Sequence, residues 1–208
     1  MRKRNYILLA LLMLLCASAN AAAIPYRVFI DTSSISGTAG SLAFAFDPGF
    51  GLYQSATADI LNFSPAANLG AAPLVADSVS GTLPPSITLS NAANALYMVG
   101  FTYAATISFN VIFDGPAITS PDGVSNSGTT FAFFMLNDDQ SVPFLTSNVQ
   151  GFAFLIDINL NGTTTVTDFI TSTHTVAEGV PEPGSAALGL LGFGFMSAAI
   201  LRRRRLTS

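Results

Sequence analysis

The chain predicts an all-β fold: one antiparallel β-sandwich of jelly-roll type, set between an N-terminal leader and one C-terminal transmembrane helix. Three observations point there. Apolar residues alternate at period two in several short runs, and turn-forming clusters separate those runs. Between residues 24 and 177 no long stretch repeats with the spacing of an amphipathic helix. That central region is rich in Phe, Ile, Thr and Ser, residues that suit a half-buried pleated surface.

Taken from the start, Arg2, Lys3 and Arg4 precede an apolar core at residues 6–15 and a mostly small-residue stretch at 17–23. This is the layout of a secretory signal peptide, with A-x-A cleavage options after Ala19, Ala21 or Ala23. The apolar core is too short to span a bilayer. Residues 1–23 are therefore expected to be a leader delivered to the general secretion machinery and removed. Cys16 follows Leu15, whereas lipoprotein signals resemble one another in having a small residue there, so lipidation is not expected. Loss of the leader removes the only cysteine and with it any disulfide or thiol chemistry.

Residues 24–177 read as one β-rich domain. In residues 41–46, Leu42, Phe44 and Phe46 face one way and Ala43 and Ala45 the other. Ile107, Phe109, Val111 and Phe113 repeat the pattern, as do Phe152, Phe154, Ile156, Ile158 and Leu160. Asp47-Pro48-Gly49, Asn68-Leu69-Gly70, Pro84-Pro85, Asp114-Gly115-Pro116, Pro121-Asp122-Gly123 and Asn161-Gly162 punctuate these runs. Residues 65–77 are alanine-rich and read as helical or irregular.

Charge excludes several function classes. Between residues 24 and 178 lie eleven acids, from Asp31 to Glu178, and the only Lys or Arg is Arg27, for a net charge of −10. Nucleic acid requires clustered Lys and Arg to displace counterions, so it is not a partner. Docking on anionic lipid is excluded on the same ground. A region without lysine also cannot form lysine–asparagine isopeptide staples.

Candidate chemistry is sparse. A serine nucleophile needs a base, and the one histidine, His174, lies in a Thr-rich run that reads as exposed strand. One histidine without cysteine makes a poor zinc site. Asp138 and Asp139 are adjacent and read as a loop tip, and Glu178 falls in the linker after the domain, so no paired acid and base for glycoside hydrolysis stands out. The expectation is a non-catalytic protein with no cofactor. One constellation could bind calcium: Asp157, Asn159 and Asn161, with Gly162 at the turn and Asp168 closing, follow the order of an EF-hand loop. Its flanks are strand-like where helices are required, and Asp replaces the usual closing Glu. The alternative for the same residues is a β-hairpin turning at Asn161-Gly162, with Leu160 opposite Thr163 and Ile158 opposite Thr165. Sugar platforms are few, with no Trp and only Tyr26, Tyr53, Tyr97 and Tyr103 in the domain.

The final segment, residues 178–208, has three parts: a linker with Pro181, Glu182 and Pro183, an apolar run at 185–201, and a basic stop of Arg202, Arg203, Arg204 and Arg205. The run is uncharged for 17 residues, at the lower edge of what crosses a bilayer as a helix. Four arginines behind it would hold the C-terminus in the cytoplasm. This order resembles the PEP-CTERM sorting signal of exported Gram-negative bacterial proteins, matched one for one at Pro181, Glu182 and Pro183. That resemblance implies recognition by exosortase, a membrane protease-transpeptidase, with the membrane helix a transient anchor until the tail is cut near Pro-Glu-Pro. It further implies an association with exopolysaccharide and a matrix or biofilm location, with Ser and Thr as sugar acceptors. The opening of the domain, residues 31–42, together with residues 81–84, 120–123 and 151–154, is similar to a recurrent uncharacterised group of such passengers. The function expected is a structural or interactive component of the envelope or extracellular matrix; the alternative is a carbohydrate-binding or calcium-dependent adhesive module at the cell surface.

Overall fold

A computed structural model of the chain describes residues 22–179. The expected leader, apart from its last two residues, and the sorting motif, apolar run and arginines lie outside the described residues. Among the described residues no helix is long and apolar enough to cross a membrane.

Twelve strands follow in order: β1 (Ile24–Asp31), β2 (Ala39–Asp47), β3 (Thr57–Ser64), β4 (Leu74–Val75), β5 (Val79–Thr82), β6 (Ser86–Ser90), β7 (Ala95–Thr102), β8 (Thr106–Asp114), β9 (Thr129–Asn137), β10 (Phe152–Ile158), β11 (Thr164–Asp168) and β12 (His174–Glu178). A four-residue helix, α1 (Pro116–Thr119), follows β8. The strands form two six-stranded sheets, ordered β12-β1-β8-β3-β6-β5 and β11-β10-β9-β2-β7-β4, with every named pairing antiparallel. The pairs β1–β8, β2–β7 and β3–β6 nest like a hairpin rolled on itself, which is the jelly-roll arrangement. Strands β9 to β11 then widen the second sheet beyond β2, and β12 closes the first sheet beside β1.

Alternation decides what is buried. On β8, Ile107, Phe109, Val111 and Phe113 turn inward, and Leu42, Phe44 and Phe46 do so from β2. Between the layers the rings form a continuous cluster, with Phe109 centred 5.3 Å from Phe44, 5.0 Å from Phe133 and 6.2 Å from Phe63. Seven phenylalanines are less than 2 % exposed, which is why the phenylalanine-rich composition reads as core and not as surface. Position 40 on β2 has room only for glycine, because a Cβ there would run into the Leu136 carbonyl oxygen and lie 2.7 Å from the Tyr103 ring. That ring takes the space, and its hydroxyl hydrogen is shared between the carbonyls of Ser41 and Leu136 at 3.0 and 3.1 Å. Burial pushes the Tyr103 phenol well above its ordinary pKa.

Three details differ from the sequence expectation. The β10–β11 hairpin pairs Ile158 with Thr164 and Asp157 with Thr165, one residue away from the register a two-residue Asn-Gly turn imposes. Asn161 keeps negative φ and its Oδ1 accepts the Thr163 N–H, so only Gly162, at φ +78, takes the left-handed position. The result is a three-residue loop in which Gly162 N–H donates to the Asn159 carbonyl and Asn159 N–H to that of Thr163. A register shift between Phe152 and Phe154 turns Phe152 onto the outer face, 5.0 Å from Phe134, while Phe154 stays in the core. Glu178 is strand, not linker, since it pairs with Tyr26 across β1 and β12. Residues 65–77 are mostly irregular, with one 3₁₀ turn at Ala66–Asn68 and the short β4.

Candidate functional site

The first and last strands are neighbours, so the chain enters and leaves the domain at one corner. Gly179 N–H donates to the Pro25 carbonyl at 2.6 Å, one step beyond the Tyr26–Glu178 pair. Across the layers, Tyr26 and Thr164 join hydroxyls at 2.7 Å, fastening this corner to the β10–β11 hairpin. Burial raises the Tyr26 phenol above its usual pKa. The sorting residues Pro181, Glu182 and Pro183 follow within four positions of Gly179, and Arg202 to Arg205 lie further on, all outside the described residues.

The same end carries the loops at residues 48–56 and 120–128, because Asp47, Thr57, Asp114 and Thr129 are the strand ends that pair there. Asn126 holds the two loops together: its Oδ1 accepts the Leu52 N–H, and its own N–H donates to the Leu52 carbonyl, both at 2.9 Å. Gly51, at φ +119, lies so close that a Cβ would sit 2.6 Å from that Oδ1. Between Gly49 and Gly51 this clamp presents Phe50 wholly to solvent. Leu52, Val124 and Leu160 are also exposed, at 64 %, 72 % and 50 %. Asp122 accepts from the N–H groups of Ser125 and Val124 and from the Ser125 hydroxyl, and these bonds hold its carboxyl below the usual range. Between the loops and the hairpin runs an open groove lined by Gly49, Ser127, Thr130, Asp157, Asn159 and Leu160.

The four calcium candidates sit on or beside this hairpin, but the structure does not bring them together. Asp157 accepts from the Thr130 hydroxyl at 2.5 Å, and Asn159 donates from Nδ2 to the hydroxyls of Thr163 and Thr165. Asn161 accepts from Thr163. Asp168 pairs with Phe154, three residues along β10 from Asp157, or about 10 Å away along the strand. Its oxygens accept the Ile170 N–H and meet His174 Nε2 at 2.5 Å. His174 is therefore not a free strand residue. Its Nδ1 also lies 2.6 Å from the Ser172 carbonyl, so the imidazole braces the crossing from β11 in one sheet to β12 in the other.

Sequence reasoning missed the exposed cluster at this end. Its parts come from segments about seventy residues apart, joined by the Asn126–Leu52 clamp, by the Ser127 N–H on the Leu52 carbonyl and by the Gln54 side chain, which donates to the Ser120 carbonyl and accepts the Asp122 N–H. The one local signal was Pro48-Gly49-Phe50-Gly51, an aromatic residue in a glycine-rich turn where a core residue has no place.

No curated protein and no solved structure matches the chain. Residues 179–205 match the family model of the PEP-CTERM protein-sorting motif, a match that begins at the residue where the described fold ends and covers Pro181 to Pro183 and all four arginines. The motif implies export and handling by exosortase at the membrane. The C-terminal residues of the chain thus carry a match to the PEP-CTERM protein-sorting motif, which begins directly after β12, the last of the twelve strands among the described residues.

Proposed function

We propose that the protein is a non-catalytic component of the envelope or extracellular matrix, exported by its leader, held briefly in the membrane by residues 185–201 and released by exosortase. The observation that carries this is the junction: the sorting motif starts at Gly179, with no further domain between it and β12. The state of the polar residues supports a non-catalytic reading. Asp122, Asp139 and Asp157 accept hydrogen bonds inside their own turns and strand pairs, and the one imidazole braces a corner. An association with exopolysaccharide rests on the sorting class.

Intact mass measured on protein from culture fluid and from membranes tests it. The natural chain should appear in a form ending near residues 181–183 and lacking the apolar run. Replacement of Pro181, Glu182 and Pro183 by alanine should leave only membrane-bound chain that keeps residues 185–208. A natural chain that keeps its arginines at the cell surface would sink the release step and leave a lasting anchor.

A carbohydrate-binding module is the second reading, favoured by the polar groove that contains Asp157, Asn159 and Thr130. Under it, retention on immobilised exopolysaccharide should fall at least tenfold in Asp157→Ala. Equal retention of the variant and the natural chain would remove it.

A further inference from the structure

We propose that the loop end bearing Phe50, Leu52, Val124 and Leu160 rests on the surface of a zwitterionic lipid bilayer while the chain is tethered. The inference rests on the reading that residues 185–201 enter the membrane. Tether length decides the geometry. Only residues 180–184 separate Gly179 from the start of the apolar run, and five extended residues reach about 18 Å at most. Gly179 and Pro25 are bonded at this end, so this end, and not the opposite one, is held against the bilayer. The strands of the sandwich are up to nine residues long, which puts the far end about 30 Å further out.

The surface so placed is chemically suited to the lipid interface. A wholly exposed phenylalanine and three exposed aliphatic side chains stand at the tips of the loops, where soluble domains place polar residues. Tyr53, partly exposed, adds an amphipathic ring at the same loop. Asn126 and the two flanking glycines fix the Phe50 loop, so little ordering is needed for the ring to insert. Charge selects the headgroup. Asp47, Asp114, Asp122 and Asp157 gather at this end, and Arg27 is the only cation among the described residues. Anionic lipid would be repelled, whereas a zwitterionic surface carries no net charge to oppose contact.

The chain has no tryptophan, so a single introduced one reports its own surroundings. Phe50→Trp and Val149→Trp form a matched pair. Both sites are fully exposed and apolar, but Val149 lies in the β9–β10 connection at the far end. Each variant of the chain from residue 22 onward is reconstituted into phosphatidylcholine vesicles with brominated acyl chains. Flotation with the vesicles reports the tether, and quenching reports the contact. The expected result is flotation of both variants, with strong quenching at position 50 and none at 149. Replacing a third of the lipid with phosphatidylglycerol at low salt should reduce the quenching. Flotation without quenching at 50, or equal quenching at both positions, overturns the contact and leaves the tether standing. Failure to float overturns the tether and the contact with it. If lipid leaves position 50 unquenched while soluble exopolysaccharide shifts its emission, the end is a sugar platform and the lipid surface is wrong. Stronger quenching in anionic vesicles would overturn the choice of headgroup.

Discussion

Phe109→Ala is expected to destabilise the domain by about 4 kcal/mol, about a quarter or more of the stability a domain typically has. The ring is 1 % exposed and sits at the middle of β8, the strand that lies third in its sheet. It meets Phe44 and Phe133 from the opposite sheet, Phe63 from its own, and stacks on Phe154 at 6.5 Å. Deleting it removes apolar burial and opens a cavity bounded on every side by strands whose backbones are fixed by two ladders. The cavity therefore cannot collapse. Urea unfolding followed by far-ultraviolet circular dichroism should show a large fall in midpoint with little change in slope. Phe29→Ala is the matched control: Phe29 is on the outer face of β1 at 43 % exposure, and its loss should cost under about 1 kcal/mol. A Phe109→Ala midpoint within experimental error of the control would mean that the ring cluster is not the centre of the core.

How much of this was legible in the sequence follows from which forces are local. The alternation on β2 and β8 is a property of neighbouring residues, so the inward faces of Leu42 to Phe46 and Ile107 to Phe113 were readable. The β10 run was misread at both ends. A register shift rotates Phe152 outward, and nothing in the residues 152–154 marks it, because Phe134 across the ladder supplies the ring that makes the outward position favourable. At the other end, Asn161-Gly162 signals a turn but not its length. The choice lies with Asn161, whose carboxamide accepts from Thr163 instead of the backbone moving to positive φ. Glu178 was assigned to the linker because its partner, Tyr26, is at the opposite end of the sequence. His174 was read as an exposed strand residue for a different reason. Asp168 is only six residues away, but the chain must change sheets between them to bring the two side chains into contact. The sorting signal, in contrast, was fully legible, because it is a linear address and needs no tertiary partner.

Asn91→Ala is expected to cost about 3 kcal/mol and, unlike the core deletion, to loosen the loop end as well. The side chain is fully buried between β6 and β7, which is rare for an amide and permitted only because every polar atom is used. Its Oδ1 accepts the Ala56 N–H at 2.9 Å, and Nδ2 donates to the Gln54 carbonyl and the Thr129 hydroxyl at 2.9 and 2.8 Å. One residue thus ties the last residues of the 48–56 loop to the first residue of β9. Alanine leaves the Ala56 N–H, itself buried, without that acceptor, and such an orphaned group costs about 1–3 kcal/mol. Asn91→Asp should be worse at neutral pH, because it keeps the acceptor, loses the donor and buries a charge in a domain of net charge −10 that has one cation. Two measurements separate this role from plain packing. The unfolding midpoint should fall for both Asn91→Ala and Phe109→Ala, but amide exchange at Leu52 and Ala56 should accelerate under native conditions only in Asn91→Ala. Unchanged exchange there would mean that the bonds from Asn126, Ser127 and Gln54 fix the loop that presents Phe50, and that the buried amide serves stability and not the surface.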